Sequence, residues 1–195
     1  KSCVRFVAAD LRLRELAYRK ILREFSPDIP EYNTFIAEEL ERFLTDFGLD
    51  RARLLGVGIA VPGVLSADGK AIISAPTLGL KNVDLGDIAA KIPYPLHIEN
   101  DASCGGHAEW FMRRRQRDLV YLSLEEGVGG AVLVDGQIYR GDNRRSGEFG
   151  HMCVEPGGLL CSCGKRGCLE AYCSARRISS DLGITPEEFF EGLQE

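Results

Sequence analysis

The sequence predicts an α/β fold, and three observations carry that prediction. The run Leu54 to Val61 (LLGVGIAV) is apolar with little alternation, the character of a strand covered on both faces. Phe35, Ile36, Leu40, Phe43, Leu44 and Phe47 recur at spacings that line one face of a helix. Turn chemistry at Pro62-Gly63, at residues 67–70 and at Asp135-Gly136 separates short apolar segments, so strands and helices are interspersed along the chain.

Residues 3–9 (CVRFVAA) are rich in β-branched and apolar residues and read as the first strand. The amphipathic helix follows Ile29-Pro30, and Gly48 lies just past its last apolar position, where a helix C-terminus favours glycine. After the strand at 54–61, Ala67-Asp68-Gly69-Lys70 turns the chain into Ala71-Ile72-Ile73-Ser74 as a hairpin. A helical stretch near Leu85 to Lys91 leads to a short strand, Pro95 to Glu99, which ends at Asn100-Asp101. Asp101 suits the N-cap of a helix over Ala102 to Arg115. Arg113, Arg114, Arg115 and Arg117 sit near its C-terminus, as a solvated face that suits the helix dipole or as a contact for an anion or partner. Leu119 to Leu124 reads as a strand, Gly127 to Gly130 as a turn, and Ala131 to Val134 as a strand whose Asp135-Gly136 hairpin leads into Gln137 to Tyr139. Residues 140–167 are Gly-rich and aperiodic, which predicts loop. Cys168 to Ser180 and Pro186 to Leu193 read as helices, the second opened by Thr185-Pro186-Glu187-Glu188.

The chain has 195 residues, 45% hydrophobic and 27% charged, enough for one medium domain or two small ones and outside the range of disordered or collagen-like chains. The longest apolar run falls well short of the roughly 18 residues of a membrane span, and the first ten residues lack a signal peptide's h-region. A formal net charge of −5 argues against a nucleic-acid surface within these residues. The expectation is a cytoplasmic protein without membrane contact. Seven Cys stand against three His, and an odd count in such a chain points to reduced thiols or a metal site.

The Cys cluster decides where chemistry is sought. His151 precedes Cys161-Ser162-Cys163-Gly164-Lys165-Arg166-Gly167-Cys168 by nine intervening residues. Together His151, Cys161, Cys163 and Cys168 supply the four N/S ligands that tetrahedral zinc requires, and Gly164 and Gly167 let a short backbone wrap one ion. The alternative is a set of reduced thiols or of disulfides. A closed four-ligand shell gives zinc a structural role. Cys3, Cys104, Cys153 and Cys173 read as small core residues, and His97 and His107 as packing or surface residues.

Four segments then resemble one family, in order and approximate spacing from about residue 3 to residue 176: Gly58-Ile59-Ala60-Val61-Pro62-Gly63; Glu99-Asn100-Asp101-Ala102; Gly147-Glu148-Phe149-Gly150-His151; and Cys161-x-Cys163-Gly164-x-x-Gly167-Cys168-x-Glu170. This set is similar to the ROK family of bacterial sugar kinases and sugar-responsive repressors, and most like its regulator branch. The resemblance implies an actin-like, ribonuclease-H-like ATPase-type fold of two α/β lobes with a sugar cleft between them. The lobes would be residues 1–116, lacking a first strand, and residues 117–195, a partial second lobe with a zinc loop at 148–170. The resemblance also implies that Asn100, Asp101, Glu148, His151 and Glu170 face the sugar hydroxyls. In kinase members the Asp matching Asp101 is the general base. Physical chemistry agrees, since vicinal hydroxyls both donate and accept, and carboxylates with an amide bind them in pairs. Asp101 can cap a helix and bind a hydroxyl together, because a carboxylate has several acceptor sites.

Other residues depart from the kinase pattern. The Asp-x-Gly-x-Thr strand and turn that opens kinase members is absent, and the kinases' Leu-Gly-Thr-Gly-x-Gly-Gly loop reads Leu124-Glu125-Glu126-Gly127-Val128-Gly129-Gly130. Two carboxylates near a triphosphate would repel it, unless both point to solvent. Thr77 and Leu80 stand where many members place Asn and Trp, so the sugar's identity does not carry over. The expectation is a fragment: the sugar-sensing effector domain of a transcriptional regulator, homo-oligomeric, with structural zinc and with DNA contacted only through an upstream domain outside this chain. The alternative is a fragment of an ATP-dependent hexose kinase using ATP and Mg, with Asp101 as base.

Overall fold

The computed structural model describes residues 3–113 and 117–192. Its first half is built around one long helix. β1 (Cys3–Ala9) pairs antiparallel with β2 (Glu15–Leu22), and α1 (Pro30–Asp46) follows with Pro30 at its first turn. Tyr32, Ile36, Leu40, Phe43 and Leu44 of α1 are buried in the first-half core with Leu65, Ile72, Leu85 and Ile88. β3 (Val57–Val61) leads through Pro62-Gly63 to β4 (Val64–Leu65), which forms an antiparallel sheet with β5 (Ala71–Ala75) and β6 (Leu80–Asp84). α2 (Gly86–Lys91) returns the chain to β7 (Leu96–Asn100), which lies parallel to β3 with Val61 opposite Asn100.

α3 (Asp101–Arg113) starts directly from β7 and packs on the sheet of β8 (Leu119–Leu124), β9 (Val128–Val134) and β10 (Gln137–Ile138). Gly105 and Gly106 allow that close approach to Tyr121 and Ala131. After the loop region come α4 (Glu170–Cys173), α5 (Ala175–Leu182) and α6 (Pro186–Glu191). No described helix is long and apolar enough to cross a membrane.

Several expectations shift in the structure. The apolar run at 54–61 is a strand only from Val57, and it is not covered on both faces: among the described residues it pairs with β7 alone, and Gly58 and Ala60 are exposed. Residues 57–60 of β3 line a cavity of about 1560 Å³ that β1 also lines, and β1 and β3 do not pair with one another. The turn expected at 127–130 ends earlier, because Gly129 and Gly130 already pair with Ser123 and Leu122 inside β9. The helix expected over 168–180 breaks at Ser174, whose extended backbone and side chain cap α5 by accepting from Arg177 N. Arg114 and Arg115 of the arginine cluster, and Leu193 at the end of the last expected helix, lie outside the described residues; of the other two, Arg113 pairs with Glu109 and Arg117 with Asp135.

Candidate functional site

The Cys-rich loop closes through its backbone before any metal is considered. Val154 N and Glu155 N donate to Gly167 O, and Gly167 N donates to Leu159 O at 2.8 Å. Cys161 N donates to Lys165 O at 2.8 Å and Gly164 N to Cys161 O at 3.0 Å, a tight turn carrying two of the thiols. Gly167 has φ +80°, and a Cβ there would lie 1.8 Å from Glu155 O, so no other residue fits. A turn of 3-10 helix at Phe149–His151 presents the imidazole to the same point.

The four expected ligand atoms all lie within 4.8 Å of one another. Cys163 Sγ is 3.7 Å from Cys168 Sγ, and Cys161 Sγ is 3.6 Å from His151 Nδ1. A zinc ion with S ligands at about 2.3 Å in a tetrahedron sets S···S edges of about 3.8 Å, so the donors have the spacing and chemistry that zinc takes. Cys161 and Cys168 are buried. Burial, reinforced by the neighbouring thiols, holds the Cys168 thiol above its ordinary value, a cost that a bound cation would reverse. On its other side, His151 Nε2 lies 3.8 Å from Glu148 Oε2, a contact longer than a hydrogen bond.

The second group gathers where β7 becomes α3. Asn100, and not Asp101, caps the helix: its Oδ1 accepts from Ser103 N at 2.9 Å, and its Nδ2 donates to Gly63 O at 3.0 Å and to Asp101 Oδ1 at 3.1 Å. The expected cap is therefore off by one residue. Asp101 is the first helical residue, with Oδ1 taking Ala102 N at 2.8 Å and its carboxylate open to the cleft. Enclosure by the cleft walls, with Glu125 and Glu148 opposite, raises its pKa above the ordinary aspartate value.

Asn100, Asp101, Glu148, His151 and Glu170 all line the same cavity of about 1560 Å³, which also takes in Glu125 and Glu126. The five residues expected to face a sugar thus share a cleft, although they differ in freedom. Glu170 is buried, with Oε2 accepting from Val128 N at 3.0 Å and Oε1 from Ser162 Oγ at 3.0 Å, so it fastens the Cys loop to β9. Glu148 is held by its backbone. Gly147 before it has φ +89°, and a Cβ there would lie 2.5 Å from Gly130 O. Gly147→Ala is expected to cost about 2 kcal/mol or more, since backbone strain and a backbone clash combine, and to displace Glu148. Chemical denaturation of the variant beside the parent chain checks this.

Sequence reasoning missed Glu99 and Arg140 as partners. Arg140 Nη2 donates to Glu99 Oε2 at 2.5 Å, although 41 residues separate them. The only sequence signal was a carboxylate placed directly before Asn100.

Known proteins share the sequence pattern and the fold of this chain. The ROK family model matches residues 10–191. The chain is 33% identical over 164 residues to the xylose repressor of Bacillus subtilis (strain 168), covering 83% of this chain and 42% of that protein. It is 33% identical over 150 residues to a glucokinase of Halalkalibacterium halodurans, covering 75% of this chain and 46% of that protein. Among solved structures, a ROK family transcriptional regulator described as a homologue of the E. coli MLC protein superposes with a TM-score of 0.78 at 24% identity, over 93% of this chain and 46% of that one, which shows the shared α/β fold. The chain thus spans less than half the length of these curated relatives. With nearly all of its described residues inside the family match, the chain belongs to the ROK family.

Proposed function

We propose that this chain is the sugar-binding effector part of a ROK transcriptional regulator. The convergence of Asn100, Asp101, Glu148 and His151 on one cleft is the observation that carries the reading. An amide, two carboxylates and an imidazole suit the paired donors and acceptors of a hexose or pentose. Zinc held by His151, Cys161, Cys163 and Cys168 would keep the loop folded, and His151, shared by both groups, would tie loop order to sugar contact.

The regulator is favoured over the kinase by Glu125 and Glu126. They follow β8 at the turn into β9 and line the cleft with Asp101, where a nucleotide's phosphates would meet like charge. Similarity to xylose repressors points the same way, and similarity to glucokinases keeps ATP-dependent phosphotransfer, with Mg and with Asp101 as base, as the second reading. Two lobes, residues 1–116 and 117–195 with α3 as their shared wall, would shift relative to one another when sugar binds. DNA would be contacted by a further domain of a homo-oligomer.

Full-length protein incubated with glucose or xylose is expected to gain thermal stability, with no sugar-dependent ATP hydrolysis. Robust turnover abolished by Asp101→Ala would install the kinase instead.

A further inference from the structure

The segment between β10 and Glu148 reaches back to the first half of the chain twice. Arg140 Nη2 meets Glu99 Oε2 at 2.5 Å, and Arg144 Nη1 lies 3.4 Å from Ser66 O. Glu99 uses its other oxygen, Oε1, to accept the backbone N–H of Asn100 at 2.9 Å. One carboxylate thus joins the Arg140 guanidinium to the residue that caps α3 and lines the cleft. Burial alone would raise the Glu99 pKa, yet the guanidinium and that backbone N–H overcome it and hold the carboxyl below its ordinary value. The Glu99 side chain is only 12% exposed, so a charge there without its partner is unfavourable.

The segment is also closed on itself. Ser146 N donates to Arg140 O at 3.3 Å and Glu148 N to Arg145 O at 3.4 Å, while Gly147 lies hard against Gly130. The position of Arg140 therefore propagates through a short, pinned segment to Glu148. At its other end the same ion pair fixes Asn100.

We propose that Arg140 and Glu99 are positioning residues, a latch beside the cleft, in a small pocket that Asn100 and Glu148 also line, which holds those two in register for neighbouring hydroxyls of one ligand. This rests on the sugar-cleft reading for its consequence, while the latch itself has a readout without sugar. Neither residue need touch the ligand. The pair's rigidity comes from the planar guanidinium, which an ammonium at the same place reproduces only in part.

The test uses the full-length protein with Arg140→Ala, Arg140→Lys and Glu99→Gln. Hydrogen exchange without sugar is expected to quicken in Arg140→Ala at 99–101 and 141–148, and nowhere else. Titration calorimetry with glucose and with xylose as probes is expected to show about tenfold weaker binding in Arg140→Ala, partly recovered in Arg140→Lys. Unchanged exchange at 141–148, or exchange that quickens throughout the chain, overturns the latch. So does local quickening with sugar affinity within twofold of the parent. If the parent protein binds neither sugar, the sugar-cleft reading falls, and the exchange pattern still decides the latch.

Discussion

Replacing Cys161 or Cys168 with Ser, or stripping the protein with a strong chelator, is expected to remove about one zinc per chain and to unfold residues 152–169. The physical reason is how little else holds the segment. It contains no strand beyond the isolated bridges Cys153–Cys168 and Leu160–Arg166, and Met152, Val154 and Leu160 are more than half exposed. Its well-buried side chains include two of the proposed ligands themselves. Structural zinc in small peptides is worth on the order of 10 kcal/mol, comparable to the whole stability of a domain of about 5–15 kcal/mol. Loss would spread beyond the loop, because Glu170 is fastened to Ser162 on one side and to Val128 N of β9 on the other. Elemental analysis of protein purified without chelator checks the stoichiometry, and exchange at 152–169 with and without metal checks the coupling. Protein that carries no zinc, with the loop equally protected, would sink the metal assignment.

The clustering of His151, Cys161, Cys163 and Cys168 was legible because its information is local: spacing within 18 residues and the chemistry of four donors sufficed. α1 was legible for a similar reason, with a sustained helical period bounded by Pro30 and Gly48. β2 (ELAYRKIL) was not. Its apolar and charged residues fall in blocks, Leu16-Ala17-Tyr18, then Arg19-Lys20, then Ile21-Leu22, without the alternation that marks a strand, and the turn before it has Leu13 at φ 59° where a glycine would have signalled reversal. β6 (LKNVD) carries too few apolar residues to stand out and exists because β5 offers it an edge. The cap at the start of α3 was misplaced by one residue, since Asn and Asp are equally good caps and only geometry separates adjacent candidates. Within the cleft, the residue types could be read, but not their engagement. Glu170 and Asp101 look alike as letters, yet one is spent on β9 and the Cys loop while the other stays open. The ion pair of Glu99 with Arg140 had no signature beyond the carboxylate before Asn100, because its partners meet only once the chain has folded.

Asp101→Asn is expected to stabilise the sugar-free protein at neutral pH and to weaken sugar binding together. The enclosing cleft walls, Glu125 and Glu148 disfavour the charged carboxylate, so its pKa is higher in the folded chain than the ordinary 3.8. The sign follows: the folded state carries no such penalty below 3.8, and loses stability as pH rises through the raised value. An amide removes that penalty while its oxygen still accepts from Ala102 N, so the backbone bond survives. Thermal unfolding should therefore favour the Asn variant at pH 7, and the gap should close near pH 3. Sugar binding should move the opposite way. A charge-assisted hydrogen bond to a hydroxyl is worth about 1.5–3 kcal/mol, which makes the expected loss about 10- to 100-fold in affinity. A variant that is stabilised yet binds glucose and xylose as tightly as its parent would place the sugar elsewhere. A variant no more stable at pH 7 than at pH 3, relative to the parent, would mean that Asp101 feels neither carboxylate. Strain of this kind marks a site kept for a ligand: a cleft that gathers like charges is less stable alone, and becomes favourable only when hydroxyl donors fill it.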